Sequence, residues 1–224
     1  MLTYNSLGVV EQASGRLAEA RAWYERSRQL AVELNDQPGI GRAAQNIGIV
    51  CQLEGEAARA QGDEAAARRS FQAALHSVEE SQSVWLALCD KLDEAASLSQ
   101  LAQIHFLLGD LDAAERNAHA ARDIRESLGL KEVWKDYYTL AEIAEARGDT
   151  AAAAAWAQRR DDKRAELERL AGGGSAPQRV VAPASSLSQP ATAPKVARSP
   201  LRLLAIAGAA IALCAWLGYL FLRR

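Results

Sequence analysis

Cysteine is scarce in this 224-residue chain, and Cys51, Cys89 and Cys214 form no C-x-x-C pair. That spacing excludes a zinc knuckle and a disulfide framework, and a reducing compartment suits the chain. Histidine is equally scarce. His105 and His119 lie four residues before and ten after Gly109, which offsets them by about 9 Å along an antiparallel hairpin. With His76 they match no H-E-x-x-H pattern, so neither metal nor cofactor is expected. Also missing are a G-x-x-x-x-G-K-[ST] loop, a strand-linked G-x-G-x-x-G and a G-x-S-x-G elbow, so the chain is not expected to be an enzyme. A basic n-region followed by an apolar h-region is absent after Met1, which argues against export.

Acidic residues disappear after Glu168. Residues 1–171 hold all 28 acids against 20 bases, a formal charge of −8, whereas residues 172–224 hold six bases and no acid. An acidic head does not suit a phosphate backbone, so no nucleic acid is expected as partner. Proline is nearly absent from the head, and five of the six prolines fall within Gly172 to Pro200, among many Ala and Ser. Proline lacks a donor and disfavours helix before it, so 172–200 is predicted to be a disordered linker of about 30 Å r.m.s. span.

Long apolar runs are absent until the end, where Leu203 to Leu222 runs for 20 residues without a charge between Arg198, Arg202 and the pair Arg223, Arg224. At 1.5 Å per residue such a run matches a hydrocarbon core of about 30 Å. Residues 201–224 are therefore expected to be a C-terminal transmembrane helix with basic flanks, contacting membrane lipid. The protein is read as tail-anchored and single-pass, in the cytoplasmic membrane with its N-terminal domain in the cytoplasm. Ala205, Gly208, Ala212 and Ala215 recur at three and four residues, a strip that would let two such helices pack as a homodimer.

Residues 1–171 are rich in alanine, helical in period and punctuated by glycine. A glycine turn is followed five residues later by Ala, then at four and three residues by apolar and small ones: Gly15, Ala20, Tyr24, Ser27; Gly62, Ala67, Phe71, Ala74; Gly109, Ala114, Ala118, Ala121; and, shorter, Gly148, Ala153, Ala157. Upstream of each stands a large residue beside a small one: Leu7-Gly8, Ile47-Gly48, Leu101-Ala102 and Leu140-Ala141. Such pairs let two helices approach closely. Gly48 precedes its turn by fourteen residues, where the other three marks precede theirs by seven, so residues 38–61 are predicted to be one long helix. Trp85 and Trp134 are read as opening the third and fourth units.

This set of spacings resembles the tetratricopeptide repeat (TPR), two antiparallel helices per unit. The turns stand 47, 47 and 39 residues apart, longer than the family's usual unit, and look like the long-unit subset of bacterial signalling regulators and kinesin light chains. The resemblance implies an all-α fold, a right-handed α-solenoid of about four helix-turn-helix units over residues 1–171. It also implies a concave face lined by the first helix of each pair, presenting Asn5, Gln12, Arg42, Gln45, Asn46, Gln52, Gln103 and Tyr138 to a protein or peptide partner. Amides carry both donor and acceptor, which suits a peptide backbone. Of the family's carboxylate-clamp pattern only Asn46 agrees, since Asn5, Ala96 and Gln100 stand at the basic sites. The function expected is a membrane-tethered protein-interaction scaffold. The alternative is the C-terminal piece of a larger regulator whose effector or catalytic domain lies upstream.

Overall fold

The computed structural model describes residues 4–171, which form eight α-helices and one short 3-10 turn, with no strand among the described residues. In chain order they are α1 (Tyr4–Ala13), α2 (Leu17–Glu33), α3 (Gln37–Ala60), α4 (Glu64–Leu88), α5 (Lys91–Leu108), α6 (Leu111–Ser127), the 3-10 turn Lys131–Val133, α7 (Trp134–Arg147) and α8 (Thr150–Ala171). Each of α1 to α6 packs on the next in sequence, α6 packs on α7, and α3 touches α5 as α5 touches α7. The order is that of an α-solenoid of four helix pairs. The expected linker, the apolar run and its strip Ala205, Gly208, Ala212, Ala215 lie outside the described residues. Among those described, no helix is long and apolar enough to cross a membrane.

In the last three pairs the turn between the helices follows from two adjacent residues. Gly62, Gly109 and Gly148 take φ of 84°, 87° and 79°, a left-handed conformation in which a side chain is strained. The aspartate that follows caps the next helix: Asp63, Asp110 and Asp149 accept from the backbone N–H of Ala66, Ala113 and Ala152 at 2.8–3.0 Å. One residue ends a helix and the next begins another.

The long helix expected at 38–61 is α3, Gln37–Ala60. Its partner α4 is just as extended, and here the sequence reading needs correction: Trp85 does not open the third unit but closes the second. Its ring is fully buried, its indole Nε1 donates to Ser81 Oγ at 2.9 Å, and α4 runs on to Leu88 before Cys89 turns left-handed. Gly41, Gly48 and Gly55 on α3 step by seven residues and face Trp85, Val78 and Phe71 on α4, which step by seven the other way. A Cβ on Gly48 would stand 2.4 Å from Val78 Cγ2, and one on Gly55 2.5 Å from Phe71 Cε1. The two helices are close because no side chain separates them there. Gly8 makes the same contact with Tyr24 in the first pair.

Candidate functional site

The first helices of the pairs carry the amides assigned to the concave face. Asn5 and Asn46 are paired with each other, Nδ2 of Asn46 donating to Oδ1 of Asn5 at 2.8 Å, which locks α1 to α3. Gln12 Oε1 accepts from the buried Tyr24 hydroxyl at 2.9 Å, and Gln52 donates to Glu56 at 3.0 Å. Gln45 is half-buried and Gln103 exposed, and among the described residues neither amide is engaged. Arg42 is exposed and lies beside Asp93, whose carboxyl is pushed up by burial first and by Asp90 second, with the Arg42 guanidinium opposing the shift. Tyr138 donates to Glu142 at 2.9 Å and is pushed up to about 12 by burial and by that carboxylate.

Sequence reasoning missed a polar seam beneath the third and fourth units. Ser99, Arg125 and Asp136 come from α5, α6 and α7. Arg125 Nη1 donates to Asp136 Oδ1 at 2.5 Å and to Ser99 Oγ, while the Ser99 hydroxyl donates to Asp136 Oδ1 at 2.7 Å. Arg125 and Asp136 are buried, and Asp136 Oδ2 has no partner. Burial pushes the Asp136 carboxyl up despite the guanidinium beside it. One turn from the exposed Gln103, Gln100 is also buried with both amide atoms unpartnered.

At the end of the array Trp156 of α8 is held by a ring of neighbours. Tyr137 stacks on it at 5.9 Å between centroids, His119 meets it edge-on at 5.7 Å, and the guanidinium groups of Arg159 and Arg122 lie 4.6 and 5.5 Å from its centroid. Arg122 also approaches His119 Nδ1 at 2.6 Å. These are packing contacts of the last pair, and no group of metal-ligating side chains occurs among the described residues.

Family models described as tetratricopeptide repeat match residues 1–80, 95–128 and 137–159. The chain is built of tetratricopeptide repeats. Between the first two TPR matches lies 81–94, which holds the end of α4 and the turn that follows it. Among solved structures the crystal structure of BtubC (BKLC) from P. vanneervenii is similar, with a TM-score of 0.62 at 18% identity, covering 84% of this chain and 70% of that one. At that identity the likeness shows the fold alone. No curated protein matches the chain. TPR units are in general a protein-interaction fold without catalysis, and nothing in the described residues shows catalytic chemistry.

Proposed function

We propose that the chain is a membrane-tethered interaction scaffold that holds an extended segment of a partner protein against the first helices of its TPR units. The observation that carries this reading is chemical. Gln45 and Gln103 offer unengaged amides on the first helices of two successive units, and an amide can meet both the donor and the acceptor of a peptide unit. The Asn5–Asn46 bond supports the reading differently, by fixing α1 against α3 so that the face is organised before a partner arrives. The 47-residue unit supports a place in the long-unit subset similar to kinesin light chains. The apolar run Leu203–Leu222 with its basic flanks supports the tether, the cytoplasmic-membrane location and the N-in orientation.

The test begins with affinity purification of the membrane-solubilised chain and identification of what co-purifies. Each amide bond to a peptide contributes about 0.5–1.5 kcal/mol, so Gln45→Ala and Gln103→Ala should each weaken the captured partner about two- to tenfold with an unchanged melting curve. The exposed Arg68 of α4 serves as control. Unchanged affinity in both amide variants would remove the groove, and release of the chain by carbonate washing would remove the tether.

A further inference from the structure

The two edges of the solenoid differ. Turns within pairs form one edge, at Gly15, Gly62, Gly109 and Gly148, and turns between pairs form the other, at 34–36, 89–90 and 128–130. Of the ten large apolar side chains exposed among the described residues, seven stand in the three segments 30–40, 85–94 and 126–134 that make the second edge. Leu34 is 68% exposed, Leu92 56%, Leu86 49% and Leu128 48%, whereas of the ten only Val10, in the last turn of α1, stands near the within-pair turns. Single exposed leucines are ordinary, but a row concentrated on one edge is the mark of a contact surface. Because α3 touches α5 and α5 touches α7, successive turns of this edge stand close enough for one segment to meet them all.

Charge on the same three segments is one-sided. They hold seven carboxylates (Glu33, Asp36, Asp90, Asp93, Glu94, Glu126, Glu132) and two amines, Lys91 and Lys131. Lys91 is already tied to Glu94 at 2.7 Å and Arg122 meets Glu126 at 4.0 Å, while Arg42 beside Asp93, Lys131 and Lys135 beside Glu132 offset part of the rest. The within-pair edge is acidic too, and there the bases are taken by the ion pairs Arg16–Glu11, Arg59–Glu64 and Arg147–Asp112, so the leucine row rather than charge sets the second edge apart. The middle of the leucine row, with Leu86, Leu88 and Leu92, falls in the stretch 81–94 that no family match covers, where α4 is extended.

We propose that this edge is a second docking surface, separate from the concave face, and that it takes a basic amphipathic segment of a partner protein, leucine-type side chains against Leu34, Leu88 and Leu128 and Lys or Arg against the carboxylates between them. An anionic bilayer is disfavoured by the same carboxylates, and a second copy of this edge would set acid against acid.

The full chain, in phosphatidylcholine nanodiscs, tests this with a 21-residue helical peptide of leucine and lysine as probe and a zero-length carbodiimide crosslinker that joins lysine to carboxylate. Crosslinks should map to Asp36, Asp90, Asp93, Glu126 or Glu132, fall at least fivefold in the triple variant Leu34→Ser, Leu88→Ser, Leu128→Ser, and fall with salt. They should be unchanged by Gln45→Ala with Gln103→Ala, so failure of the groove reading and failure of this one are told apart. Should the triple variant not fold, the single changes Leu34→Ser and Leu128→Ser read the same surface. Crosslinks spread over the acidic head, or undiminished in the edge variants, overturn the proposal. So do crosslinks joining two copies through this edge, or edge-dependent binding to phosphatidylglycerol vesicles without the probe.

Discussion

The second pair and the junction of the third and fourth are held by opposite chemistry. In α3/α4 the contact is a heptad of glycines against Trp85, Val78 and Phe71, with no charge in it. Between α5, α6 and α7 it is Arg125 and Asp136, both buried, bridged by Ser99. The first gains from contact area and tolerates no added atoms; the second depends on both partners being present, because each charge alone in a low-dielectric site is costly. An apolar joint of this kind is rigid over a wide range of conditions. A charged one can be undone by removing or titrating a single group.

The largest effect should therefore come from the charged seam. Asp136→Ala leaves Arg125 buried without its counter-ion and should lower unfolding stability by about 3–5 kcal/mol, read from urea melts. The double change Arg125→Met with Asp136→Leu removes both charges and should restore stability to the wild-type level or above it. If the single change costs less than about 1 kcal/mol, the seam does not hold the last two units together and the contrast fails on that side.

The apolar side is sharpened by Gly48→Ala. Alanine gains about 1 kcal/mol over glycine in a helix, but overpacking against Val78 and the Ala74 carbonyl costs about 1–3 kcal/mol, for a net loss of up to about 2 kcal/mol. Pairing it with Val78→Ala should recover part of that loss, since the Cβ then has room. A stabilised Gly48→Ala would show that the helices separate freely and that the glycine ladder is composition rather than packing.

The sequence made half of this contrast legible. Glycine followed by aspartate recurs at 47 and 39 residues because one turn geometry is reused, and fourteen residues between Gly48 and Gly62 announced a helix two turns longer. The matching extension of α4 was missed, because a tryptophan ahead of a new unit looks like the unit's first large residue. Gly41, Gly48 and Gly55 were the signal that could have found it, a step of seven that requires large partners at the same step. For Ser99, Arg125 and Asp136 no such signal exists: they lie 26 and 11 residues apart on three helices, and only packing brings them together. The polar positions of the first helices can be read from the sequence, but which amides are taken, Asn46 by Asn5 and Gln52 by Glu56, is decided by side-chain reach across turns and pairs.

The smallest expected effect separates the two regions by pH. His119, beside Trp156 and Arg122, has its pKa lowered from 6.5, by burial first and the neighbouring guanidinium second. A depressed histidine is neutral when folded and protonates more readily when unfolded, so its contribution is present above pH 6.5 and is lost as pH falls through the folded value. The ring is partly exposed, and after solvent screening the loss should be a few tenths of a kcal/mol. His119→Gln should flatten the stability profile between pH 7 and 5 by that amount, measured as the difference from wild type so that Asp136, whose raised carboxyl acts in the opposite sense, cancels. Hydrogen exchange locates the change: amides of α6 and α8 should lose protection on acidification in the wild type and keep it in the variant, while those of α3 and α4 respond alike in both. Equal loss of protection in α3/α4 would mean that the glycine-packed pair and the charged end unfold as one unit, and that the difference in their chemistry is not a difference in their stability.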